Sequence, residues 1–86
     1  MYTLVYHVRE TKETKGLPEV AEREYRGEEL RLRKNALHYL YDIVQNEYRE
    51  RGYATEVRVG SLYCYKSEKT TEGNREVTEI LIKVEK

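Results

Sequence analysis

The chain has 86 residues, a single cysteine, and nine aromatic residues that are all tyrosine. Sixteen Lys+Arg balance 16 Asp+Glu. That balance argues against an acidic nucleic-acid mimic and weakens the case for a generic nucleic-acid binder, whose affinity comes from excess positive charge against phosphate.

One cysteine forms no disulfide within the chain and suits a reducing compartment, so a cytoplasmic location is expected. No apolar run approaches the roughly 18 residues that a membrane span needs. The start, MYTLVYHVRE, lacks the basic segment and long apolar stretch of a signal peptide. The length predicts a single domain over residues 1–86 with a small core.

Residues 2–8 alternate: Tyr2, Leu4, Tyr6 and Val8 share one side, and Thr3, Val5 and His7 the other. That is a strand pattern. Gly16-Leu17-Pro18 predicts a turn. The charged stretch Glu19–Arg26 reads as an edge strand pairing back on the first, where charge discourages further pairing.

Gly27-Glu28-Glu29 then opens a predicted helix that runs to about Arg51. From Glu28 on it holds no Gly or Pro, has acidic residues in its first turn, and has Arg49 and Arg51 in its last, all of which favour a helix. Gly52 suits the position after its end. The length corresponds to roughly six turns.

Residues 53–70 are rich in strand formers and read as one strand with a bulge at Gly60. A turn follows over 71–75, and a last strand reaches the C-terminus. The expected fold is therefore α+β in the order β-β-α-β-β: one long helix on one face of a four-stranded antiparallel sheet.

On a helical wheel, Leu30, Leu37, Leu40, Tyr41, Val44 and Tyr48 form one apolar stripe. Leu32, Ala36, Tyr39 and Ile43 form a second beside it. The polar side holds Arg31, Lys34, His38, Asp42, Gln45 and Arg49. Together the two stripes span about 200°, whereas docking on a sheet needs about 100°. The second stripe has the spacing of a helix–helix seam and reads as a self-association surface, predicting a homodimer. The competing reading is a curved sheet that buries both stripes.

If Leu62 and Cys64 point to the core, Tyr63 and Tyr65 lie on the face the helix leaves open. With Arg58 and Lys66 they form the candidate partner-binding face. Rings spaced this way would also stack bases, although the glycine- and aromatic-rich motif of sheet-based RNA-binding domains is missing.

A basic cluster, Arg23, Arg26, Arg31, Arg33 and Lys34, surrounds the start of the helix and would suit a phosphate. It is interleaved with Glu22, Glu24, Glu28 and Glu29, so a set of solvated ion pairs is the plainer reading.

Catalytic signals are sparse. His38 and Asp42 stand one helical turn apart, a spacing that suits a general base and is common on solvent faces. Cys64 in a core has nothing to activate it. His7 and His38 show no zinc-ligand spacing, and no phosphate-binding glycine loop occurs. No enzyme activity, metal or cofactor is expected.

The leading expectation is a small non-enzymatic protein that binds another protein stoichiometrically. Its size and style are those of phage or mobile-element accessory proteins that inhibit host defence. The alternatives are a protein that senses or sequesters a nucleotide or other phosphorylated ligand, and a nucleic-acid-binding module.

Overall fold

The computed structural model describes residues 1–70 and 72–86. It contains a five-stranded antiparallel sheet and one helix. The strands are β1 (Tyr2–Thr14), β2 (Leu17–Leu30), β3 (Ala54–Arg58), β4 (Ser61–Lys69) and β5 (Arg75–Glu85), in the order β2-β1-β5-β4-β3. The helix, α1, occupies residues 33–50 and is 18 residues long. Among the described residues, no helix is long and apolar enough to cross a membrane.

The expected four-stranded sheet with a longer helix is thus corrected at two places. The first is the start of the helix. Gly27, Glu28 and Glu29 belong to β2, whose pairing with β1 runs on to Leu30 opposite Tyr2. Sheet pairing of the first residues of β1 overrides the local helix signals. The helix begins only where that ladder ends, after an extended Leu32, with no side-chain cap and no acidic residue in its first turn.

The second is Gly60. It is not a bulge inside one strand but the second residue of a two-residue turn between β3 and β4, with Arg58 opposite Ser61. Its φ of 74° is one that glycine adopts without strain. The Tyr41 hydroxyl holds this turn against the helix. It donates to the Arg58 carbonyl at 2.7 Å and accepts from the Gly60 N–H at 3.0 Å.

The bulge lies elsewhere. Arg26 is opposite Val5 and Glu29 is opposite Thr3, so Gly27 and Glu28 together face Leu4. The β1–β2 turn is at Lys15-Gly16, between Thr14 and Leu17, and both residues have positive φ. That backbone matches the twist of a hairpin. Of the turn expected over 71–75, residue 71 lies outside the described residues. Around it, Thr70 and Asn74 are bonded through Thr70 N–H to Asn74 O at 2.8 Å.

The core lies between α1 and one face of the sheet. Leu4, Tyr6 and Val8 of β1, Leu62 and Cys64 of β4, and Ile80 and Ile82 of β5 meet Ala36, Leu40, Val44 and Tyr48 of the helix. Those four helix residues are spaced by four. In a regular α-helix that spacing drifts by about 120° over three steps. Here the middle turn, Tyr39–Val44, is π-helical, and Gln45 N–H bonds to Leu40 O, five residues back. The wider turn offsets part of the drift and keeps all four side chains on the sheet. It also brings Gln45, expected on the polar side, into a buried position with its amide 3.0 Å from Thr55 Oγ1.

Tyrosine in this core is explained by its hydroxyl. The Tyr6 ring stacks on Tyr25 at 4.7 Å, and its hydroxyl donates to Glu28 at 2.9 Å. Burial, then Glu28, raises its pKa above the ordinary phenol range. Burial, then the Tyr25 phenol, does the same for Tyr48. Burial pushes the Cys64 thiol up to about 11.

All three shifts have one sign: the folded state holds these protons more tightly than the unfolded chain. Their contribution to stability is intact below the ordinary values, 9.0 for the thiol and 10.0 for the phenols. It is lost as pH rises through the raised folded values. The urea midpoint should therefore stay level from about pH 7 to 9 and fall by about pH 11. A midpoint unchanged at that upper limit would contradict this account.

Candidate functional site

The helix covers one face of the sheet. The other carries every second residue of each strand, and the register sets these in rows. One row reads Glu24, His7, Leu81, Tyr63, Glu56 from β2 to β3. On one side of it lies Glu22, Arg9, Glu79, Tyr65, Ala54, and on the other Arg26, Val5, Lys83, Ser61, Arg58.

A cleft of about 530 Å3 runs across this grid, lined by residues that include His7, Arg9, Glu24, Arg58, Tyr63, Glu79 and Leu81. Leu81 and the Tyr63 ring give it an apolar centre. The Arg58 guanidinium lies over that ring, 4.8 Å from its centroid, an arrangement favoured by the ring's electron-rich face. The Tyr63 hydroxyl donates to Glu79 at 2.9 Å. Burial, then that bond, raises the Tyr63 pKa above the ordinary phenol range. Arg58 also meets Glu56 at 3.2 Å, and Arg9 meets Glu22 at 3.6 Å. Tyr63 is thus held in place from two sides, while Tyr65 is exposed.

Leu62 and Cys64 are fully buried on the helix side, opposite in parity to Tyr63 and Tyr65. Lys66 does not join them. Alternation carries it to the helix side, where its ammonium donates to Arg51 O at 2.8 Å and suits the negative end of α1. The candidate face therefore loses Lys66 and gains Arg9, Glu79 and Leu81.

The self-association seam is not one surface. Ala36 is wholly buried in the chain's own core, and Tyr39 packs against that core. Leu32 and Ile43 remain 49% and 46% exposed. The π-helical turn accounts for this split, because it rotates Ala36 onto the sheet side relative to Ile43.

The five basic residues are also dispersed. Arg23 and Arg26, three apart on a strand, project from opposite faces of β2. Arg23 reaches Glu10 at 3.6 Å. Arg31 lies in the bend before α1, Arg33 lies near the turn at Gly60, and Lys34 is exposed in the first helical turn. His38 and Asp42 form a 2.9 Å pair on the exposed side of the helix, remote from the cleft on the other face of the sheet.

One grouping has no counterpart in sequence spacing. His7, Glu24 and Glu85 each bring a ligand atom to within 4.8 Å of the others. Only the sheet register unites them. Cross-strand pairing of His7 with Glu24 is the one local clue, and it requires the turn at Lys15-Gly16 to be placed correctly.

Comparison with known proteins finds no matching family model and no matching curated protein.

Proposed function

We propose that the chain is a non-enzymatic binding protein that grips a protein partner, in a stoichiometric complex, with the open face of its sheet. The observation that carries this reading is Tyr63. It is a partly buried ring at the centre of a cleft, covered by Arg58, bonded to Glu79 and flanked by Leu81. Tyrosine and arginine are the residues enriched where protein interfaces draw most of their energy. Both rotamers here are already restrained, which lowers the entropy lost on binding.

The charges around it favour a polypeptide over a polyphosphate. The three rows hold four carboxylates (Glu22, Glu24, Glu56, Glu79) and four cations (Arg9, Arg26, Arg58, Lys83). No excess of positive charge faces outward, which nucleic-acid binding would require. Occlusion of a functional surface on the partner, as by an accessory inhibitor of host defence, is the use that such a contact fits. The cytoplasm is the setting that an unpaired buried cysteine suits.

The test is capture of a partner from a cell lysate on immobilised protein, followed by an affinity measurement. Tyr63→Ala combined with Tyr65→Ala should weaken binding at least tenfold, which is about 1.4 kcal/mol, while the circular dichroism spectrum is retained. Ile43→Ala, on the far side of the molecule, should leave binding unchanged. A tyrosine double variant that binds as tightly as the parent would remove this face from the contact.

A further inference from the structure

His7, Glu24 and Glu85 converge on the open face from three adjacent strands. We propose that they form a binding site for one divalent first-row transition-metal ion, with zinc the best match. One imidazole nitrogen and two carboxylate oxygens lie within 4.8 Å of one another. Zinc takes such donors at about 2.0–2.2 Å in a tetrahedral arrangement, so two donors on one ion are about 3.4 Å apart. Small rotations of long, exposed carboxylate side chains close the difference.

The strands supply the placement. Glu24 is directly opposite His7 across the β1–β2 ladder. Glu85 comes from β5, on the other side of β1, opposite Thr3. Between Thr3 and His7 on this face stands Val5, which is wholly buried. The donors therefore stand around the buried Val5, with His7 partly buried and Glu24 and Glu85 exposed to solvent.

Glu10, Glu22, Glu56 and Glu68 each have an arginine or lysine partner. Among the described residues, Glu24 and Glu85 have none, in common with most other glutamates of the chain. Arg26 and Lys83 flank Val5 in the row between them without reaching ion-pair distance, and a divalent ion would relieve the repulsion that remains between the two carboxylates.

The donor set also selects the kind of ion. Imidazole suits zinc, copper, iron and nickel, while carboxylates alone suit magnesium, calcium and manganese. A mixed set with three protein ligands matches zinc and leaves a coordination position open to a further ligand. His7 and Glu24 line the cleft, so that position faces outward.

Isothermal titration of zinc chloride into the full chain, stripped with chelator at neutral pH, tests this. One ion per chain is expected, with binding lost in His7→Ala and in Glu24→Gln and kept in His38→Ala and Cys64→Ala. The last two remove the exposed His38–Asp42 pair and the only thiol as rival ligands. Absence of zinc binding by the parent chain would overturn the proposal, as would binding retained by either His7→Ala or Glu24→Gln. The readout needs no protein partner, so it stands or falls apart from the partner-binding face.

Discussion

Leu40→Ala should lower stability by about 2–5 kcal/mol, and Ile43→Ala by no more than about 0.5 kcal/mol. Leu40 is fully buried at the middle of α1, among Ala36, Val44 and the sheet residues. Truncating it removes apolar contact and leaves a cavity that a helix held at both ends by its neighbours closes only in part. Ile43, three residues on, is half exposed.

The pair of substitutions also tests self-association. If Leu32 and Ile43 were covered by a second copy, Ile43→Ala would cost as much as a core truncation, and the urea midpoint would rise with protein concentration. Urea titrations of both variants at two concentrations decide the matter. Equal losses for Leu40→Ala and Ile43→Ala would show that Ile43 is covered as fully as the core residue Leu40.

Gly27→Ala should cost about 1–3 kcal/mol, the usual range for overpacking. The reason is steric rather than conformational, since Gly27 does not have a left-handed φ. A Cβ at this position would lie 2.5 Å from Tyr6 Cε1. The ring cannot step aside without breaking its stack on Tyr25 and its hydrogen bond to Glu28. In a Tyr6→Val background the obstruction is gone, and the same glycine substitution should then cost within about 0.5 kcal/mol. A double-mutant cycle by urea unfolding isolates this coupling. Equal costs in the two backgrounds would show that Tyr6 is not what Gly27 accommodates.

Local patterns made some of the structure legible. The alternation of Tyr2 to Val8 and of Leu62 to Tyr65 is set within a strand, because side-chain direction reverses at each residue. The apolar content of residues 36–48 likewise marked a helix over that segment. What was not legible depended on pairing between distant segments or on an irregular turn.

Gly27-Glu28-Glu29 carries good local signals for a helix start, yet the ladder with β1 claims those residues. Val59-Gly60 is not among the dipeptides that announce a hairpin, so one long strand was expected where two short ones stand. The π-helical turn changes which residues share a face, and no wheel drawn at 100° per residue shows it. Lys66 is next to Tyr65 in sequence but on the other face, because neighbours on a strand face opposite ways. His7, Glu24 and Glu85 belong to three strands, and only the completed sheet sets them side by side.

The strand order has a consequence for the order in which the chain folds. β1 and β5, the first strand and the last, are neighbours in the middle of the sheet, with Thr3 paired to Glu85. A ribosome delivers β1 well before β5, so the centre of the sheet has no second half until β5 has emerged. Without it, the native pairings available are two separate hairpins, β1 with β2 and β3 with β4, each with an unsatisfied edge. Joining them closes a loop that takes in almost the whole chain, which is the kind of contact that slows folding. The last strand is therefore the keystone: only its pairing with β1 on one side and β4 on the other joins the two hairpins into one sheet.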